Sequence, residues 1–322
     1  MLNKLKLLKP LIGNTPMWKL SVENINLYTK LEYYNFTGSI KDRPAFYIIW
    51  NAILDGKITK DTVVIESSSG NFALSLATIC AQLQIKFIAV IDPVINKSSE
   101  RLLNLICHKV VKVTDVDETG GYLLTRLKII QSMCQEDPSI YWPNQYHNPH
   151  NYLSYFEGLG AEICDYFDNL DFAFIGVSTG GTITGLSLKL KEAFPDIKVI
   201  AVDISGSVIF GGAPQKRYLS GIGASFSSPI LKSALIDEVV YVSHMDIVDG
   251  CEELLSRHFL LTGASSGACY IAAKRYFKDK IFATSPNAVF LCTDKGNGYL
   301  ESVYDDNWKE WLKQELNINS DK

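Results

Sequence analysis

Lys41 lies in the stretch FTGSIKDRPA, residues 36–45, after a Gly-Ser turn and ahead of an apolar helical pattern. A lysine at the mouth of a helix is unexpected, because a helix N-terminus carries partial positive charge and disfavours another cation. Condensation with an aldehyde removes the full ammonium charge, so a carbonyl-bearing partner would resolve the conflict. Three turns of small hydroxyl residues could surround such a partner: Ser67-Ser68-Ser69-Gly70-Asn71, Ser178-Thr179-Gly180-Gly181-Thr182 and Gly263-Ala264-Ser265-Ser266-Gly267. The second suits a phosphate. Its glycines let backbone N–H groups approach an anion, its hydroxyls add donors, and the following helix points its positive end at the charge. Neither G-x-G-x-x-G nor the P-loop pattern occurs, so nucleotide binding has no motif behind it. Singly, each turn is ordinary loop chemistry. Three of them with a helix-mouth lysine make a ligand site.

The elements that must hold these turns alternate short apolar runs with amphipathic ones, the pattern of βα units on a mainly parallel sheet. Strands are predicted at 62–66, 86–91 and 109–113, with helices at 72–84, 98–107 and from Tyr122. A loop-like stretch, EDPSIYWPNQYHNPHN (136–151), interrupts the alternation. It restarts with strands at 172–177, 198–204, 237–242 and 288–293, a helix near 245–260 and another from Ala268. Two α/β runs therefore meet near residues 140–150, and the first two turns follow the carboxyl ends of strands, where open α/β sheets bind ligands.

Composition narrows the partners. A chain of 322 residues, 47% hydrophobic and 20% charged, has an ample globular core. Its formal charge of -4 offers no broad cationic surface for nucleic acid or an anionic membrane. Seven scattered cysteines without C-x-x-C spacing fit a reducing cytoplasm. The first twenty residues have cations but no unbroken apolar core or small-residue cleavage site, and no stretch has the length of a membrane span. His147 and His150, without a nearby carboxylate or cysteine, read as surface residues, so no metal is assigned.

GNTP, KLEYYNFTGSIKDR, SSSGN, STGGT, GIGAS and GASSG occur in an order and spacing that resembles the fold-type II pyridoxal phosphate enzymes, nearest the cysteine synthase group. The resemblance runs from about Leu11 to the strand before Lys295. It implies an α/β protein of two open twisted, mainly parallel sheets, like the tryptophan synthase β chain. The larger, cofactor-binding domain would be 1–35 and 144–322, and the smaller, mobile, substrate-binding domain 36–143. It further implies a cytoplasmic homodimer acting on amino acids. By the same resemblance, Lys41 carries pyridoxal 5'-phosphate as a Schiff base and then serves as general base. Asn71 meets the ring hydroxyl, the turn Ser178, Thr179, Gly180, Gly181 and Thr182 holds the phosphate, and Ser265 faces the pyridine nitrogen. Ser68, Ser69, Gly70 and Asn71, with Gln145, grip the substrate α-carboxylate, and Gly223 brings its backbone close to the Schiff base.

The implied chemistry is removal of the α proton, expulsion of a β-substituent to leave α-aminoacrylate, and addition of a second nucleophile. A neutral hydroxyl at Ser265 would weaken the electron sink relative to a carboxylate and favour β-elimination over transamination. Several residues depart from the sulfide-using wording. Tyr146 stands where phenylalanine is usual, Ser178 where glycine is usual, and GGYLLTR places Arg126 on a helix of the smaller domain. These look like the branch that joins O-phosphoserine to glutamate, giving a 2,3-diaminopropionate precursor for a siderophore. A phosphorylated donor and a dicarboxylate nucleophile both need extra cations or hydroxyls. Singly, Tyr146 reads as well as a buried ring, Ser178 as a turn residue and Arg126 as a solvated cation. VSTGGT and TDKGNGYL depart from that branch too. Cysteine formation from O-acetylserine or O-phosphoserine is the competing enzyme reading, and a catalytically idle docking partner is the reading outside enzymes.

Overall fold

The computed structural model describes residues 1–118 and 120–320. In chain order the elements begin α1 (Leu2–Leu8), β1 (Met17–Leu20), β2 (Asn26–Leu31), α2 (Asp42–Leu54), β3 (Val63–Ser67) and α3 (Asn71–Leu83). They continue β4 (Lys86–Ile91), α4 (Lys97–Ile106), β5 (Lys109–Lys112), α5 (Leu123–Glu136), β6 (Ile140–Tyr141), α6 (Pro149–Ser154) and α7 (Ala161–Cys164). The rest are β7 (Phe172–Gly176), α8 (Gly181–Ala193), β8 (Lys198–Ile204), β9 (Glu238–Val242), α9 (His244–His258), α10 (Ala264–Phe277), β10 (Asn287–Cys292) and α11 (Asp306–Ser320).

Two sheets form, of six strands in the order β1-β2-β10-β7-β8-β9 and four in the order β5-β4-β3-β6. Among the strands of the described residues, only β1, paired with β2, runs antiparallel. Central strands are apolar on both faces, as helices on both sides of a parallel sheet require. In β8, Val199 and Ala201 enter one core while Ile200, Val202 and Ile204 enter the opposite one. In β3, Val64 and Ile65 divide likewise between the two cores of the smaller sheet. The first 35 residues are shared: Leu5 and Leu8 of α1 pack into the smaller sheet's core, whereas β1 and β2 edge the larger sheet.

The strand order creates two crevices. From β3 the chain proceeds to β4 and β5, then returns to place β6 on the other side of β3. From β7 it proceeds to β8 and β9, then returns to place β10 on the other side of β7. Helices leave to opposite faces at each such switch, opening a crevice at the strands' carboxyl ends. The turn after β3 and the turn after β7 occupy these positions.

Two local expectations change, and one segment left without an element gains one. The last long helix near the site begins at Ala264, not Ala268: Gly263, extended, caps it, and small residues through Ala268 lie flush against α9. The 136–151 stretch contains β6 and the start of α6, which Asn148 caps by accepting from the His150 N–H. The Lys/Leu-rich start is the helix α1.

Candidate active site

Lys41 is the N-cap of α2 and stands beyond the carboxyl end of β10. The Ile40 N–H donates to the Thr293 carbonyl at 2.7 Å, and Ser39 forms a bridge with Asp294. Its neighbours in sequence anchor it. Asp42 accepts from the Thr37 N–H and hydroxyl, both at 2.6 Å, tying back the Gly-Ser turn. Arg43 is buried between Glu32 and Glu162, its Nε donating to Glu32 at 2.6 Å and its Nη1 to Glu162 at 2.7 Å. Lys30 joins at 2.7 Å from Glu162. A pair of buried cations between one buried and one half-buried carboxylate is stable only when every partner stays in place, so α2 starts in one position. Burial lowers the Lys41 amine from its usual 10.5 to about 8, against an opposing pull from Asp294.

Around Lys41 lies one cavity, lined by Asn71, Ser265, Thr293, Asp294 and the Ser178–Thr182 turn except Gly181. Gly180 has φ +86°, a left-handed conformation that favours glycine. Gly181 begins α8, where a Cβ would meet the Asn151 amide at 2.3 Å. α8 has no side-chain cap, so its first-turn N–H groups stay available to an anion alongside the turn's hydroxyls. Opposite, the Ser265 and Thr293 hydroxyls are 2.7 Å apart, and Thr293 donates to Asp294 at 3.2 Å. Asn71 donates its amide to the other Asp294 oxygen at 2.8 Å. An anion cradle, a partly deprotonated amine and a neutral hydroxyl with a side-chain amide suit pyridoxal phosphate end to end.

The remaining site residues gather at the neighbouring crevice. Gln145 is buried, donating from Nε2 to the Ser67 carbonyl at 3.1 Å. Arg126 on α5 is 9% exposed, with Nη1 donating to Ser69 at 3.2 Å and Nε 3.3 Å from Asp92. Tyr146 packs on Phe226 with ring centroids 5.0 Å apart; burial pushes its phenol up to about 12, although Arg126 pulls it down. Ser178, by contrast, donates its hydroxyl to the Gly223 carbonyl at 3.1 Å. Gly223, with φ +73°, donates its own N–H to Val177, and Gly221, not Gly223, lines the cavity.

Sequence reasoning missed Asp294, Thr293, Asp92 and Glu66. Thr293 and Asp294 alone had a signal, in the TDKGNGYL stretch that departs from the glutamate-joining branch. Among the described residues, no group of three or more His, Cys, Asp or Glu side chains is placed to hold a metal ion.

This fold and site are those of a pyridoxal-phosphate dependent enzyme: the model of that family matches residues 8–294, and the chain belongs to it. Two relatives are each named N-(2-amino-2-carboxyethyl)-L-glutamate synthase. The one from Ralstonia nicotianae is 42% identical over 303 residues, covering 92% of this chain and 89% of the relative. The one from Cupriavidus metallidurans is 39% identical over the same shares. Among solved structures, the O-acetylserine dependent cystathionine β-synthase of Helicobacter pylori superposes with TM-score 0.84 at 28% identity, over 92% of this chain and 97% of that one. A hydrogen sulfide-producing enzyme from Fusobacterium nucleatum superposes with TM-score 0.86 at 28% identity, over 95% and 93%. The two-sheet α/β fold is thus fold-type II, and the cofactor is pyridoxal phosphate.

Proposed function

We propose that this enzyme replaces the β-substituent of O-phospho-L-serine with the amine of L-glutamate, giving N-(2-amino-2-carboxyethyl)-L-glutamate, a 2,3-diaminopropionate precursor in siderophore synthesis. The observation that carries this reading is Arg126: buried, it brings a guanidinium to Ser69, within the turn assigned to the amino-acid carboxylate. Both substrates carry one more anionic group than an O-acetylserine and sulfide pair requires, and a buried guanidinium is the matching donor. The names of the two relatives support the same product.

Pyridoxal phosphate, when bound, supplies the aldehyde that Lys41 captures and a ring that accepts electrons. Lys41, with its amine near 8, holds a proton loosely enough to take one from the substrate Cα and return it. The 178–182 turn anchors the phosphate, while Asn71, restrained by Asp294, orients the ring. Ser265 offers a hydroxyl instead of a carboxylate to the ring nitrogen. Ser68 to Asn71 and Gln145 orient the α-carboxylate, and Arg126 with Tyr146 receives the second anionic group.

Cysteine formation is the second reading, favoured by one observation: Ser178, the expected extra donor, spends its hydroxyl on Gly223. We further propose that residues 36–143 close over bound amino acid, a reading supported by the separate cores of the two sheets. A cytoplasmic homodimer is proposed as well, supported by seven unpaired cysteines and by exposed Trp18 on the edge strand β1. The deciding experiment supplies each donor with glutamate or sulfide and identifies products by mass spectrometry. The glutamate adduct from O-phosphoserine is the expected product. Cysteine without any adduct would establish the second reading instead.

A further inference from the structure

The penultimate residue of β3 is a carboxylate that the proposed chemistry does not use. Glu66 is fully buried, directly before the Ser67–Asn71 turn. Its Oε1 accepts from the Ser67 N–H at 2.8 Å and from the Trp142 indole N–H at 3.1 Å. Its Oε2 accepts from the Gln145 N–H at 3.4 Å. These donors come from two segments, the exit of β3 and the 142–145 stretch that leaves β6. The segments flank the switch point of the four-stranded sheet, and each carries residues assigned to the substrate α-carboxylate.

Gln145 returns the tie by donating Nε2 to the Ser67 carbonyl, and its own carbonyl accepts from Asn151 Nδ2 at 2.6 Å. Ser67 is therefore held at both its N–H and its carbonyl. Asn144, beside it, is kept at φ +51°, a left-handed conformation uncommon outside glycine. Burial pushes the Glu66 acid up from 4.5 to about 7, while the indole and backbone donors pull it down. A carboxylate kept here against that desolvation has a geometric use: two oxygens can join N–H groups from two walls, which an apolar side chain cannot do.

We infer that Glu66 is a positioning residue that locks the Ser67–Asn71 turn and Gln145 into one rigid cradle for the α-carboxylate of the amino-acid substrate. The inference rests on the proposed reading of that turn and of Gln145 as the carboxylate site. Glu66→Gln tests it with little change of volume. Whichever way the new amide turns, its NH2 faces at least one N–H donor, that of Gln145 in one orientation and those of Ser67 and the Trp142 indole in the other, so at least one tie is lost.

The measurement titrates the cofactor-loaded protein with O-phosphoserine, without glutamate, and reads Kd from the cofactor absorbance. Steady-state kinetics and thermal unfolding accompany it. Kd and KM should both rise by about ten- to a hundredfold, with kcat changed less than about threefold and cofactor content intact. Gln145→Ala is the control for the underlying reading. If Gln145→Ala weakens binding but Glu66→Gln leaves Kd within about twofold, the positioning role is overturned and the carboxylate site stands. If neither variant changes Kd, the carboxylate site itself is wrong. Should Glu66→Gln fail to fold or load cofactor, Trp142→Phe decides, since it removes one donor and keeps the carboxylate. A rise in Kd of about threefold or more then supports the role, and an unchanged Kd overturns it.

Discussion

The lowered basicity of Lys41 makes the capture of cofactor by apoprotein a test with calculable numbers. With a pKa of about 8 in place of 10.5, the amine is neutral in roughly one molecule in eleven at pH 7. An ordinary lysine is neutral in only about one in three thousand, so the structure predicts capture near pH 7 about 300-fold faster than by a solvated lysine of equal intrinsic reactivity. The rate should climb about tenfold per pH unit below 7, bend near 8 and level off above about 9. Stopped-flow absorbance on apoprotein measures it, with a small free amine run in parallel to remove the cofactor's own titration. Asp294→Asn supplies the second arm. Asp294 is the charge that opposes burial, so its neutralisation should move the bend below 8. Linkage gives an independent check. A lysine with a depressed folded-state value stabilises the apoprotein fully above pH 10.5, and that contribution is gone below about 8. It amounts to at most about 3 kcal/mol, so apoprotein stability should rise with pH across that window. A capture rate still climbing tenfold per unit through pH 9.5 would refute the account, because the amine would then be an ordinary one.

Lys41→Ala should keep some noncovalent cofactor through the 178–182 turn yet lose turnover by several orders of magnitude; spectra and initial rates check this, and activity within tenfold of wild type contradicts the assignment. Arg126→Met leaves Asp92 buried without its cation and should cost about 3 kcal/mol in denaturant unfolding. Adding Asp92→Asn should restore most of that stability but not the KM for the acidic substrate, which stays about ten- to a hundredfold raised. Tyr146→Phe should slow O-phosphoserine turnover about tenfold or more while sparing O-acetylserine, whereas Ser178→Gly, losing a bond to Gly223, should mainly loosen the phosphate turn by about 1 kcal/mol. Equal losses with both donors would assign the Tyr146 hydroxyl to folding.

The βα units were legible because strands buried on both faces are written as unbroken apolar runs. KVIAVDI matches β8 and KFIAVI matches β4 at both ends. Lys41 and the hydroxyl turns were legible for a related reason: each is local, a residue type at a strand or helix end. The charged interior was not. Arg43 and Glu162 are 119 positions apart, and nothing in either neighbourhood announces the other. Arg126 occupies an amphipathic helix whose pattern assigns a cation to solvent, yet its partners Ser69 and Asp92 lie at the ends of two other elements. α10 was read four residues short because Ala264 to Gly267 have the composition of a turn, and only α9 against their small faces makes them a helix.

Four of the missed groups share one location. Glu66, Asp92, Asp294 and the Arg126 guanidinium all lie where strands end, and there the backbone turns away from the sheet with N–H groups no neighbouring strand can satisfy. A carboxylate placed there accepts from two directions at once, as Glu66 does from Ser67 and Gln145 and Asp294 does from Asn71 and Tyr299. A fold that leaves crevices at its switch points therefore tends to bury acids beside them. Their partners are fixed by strand order, and strand order is what local patterning does not encode.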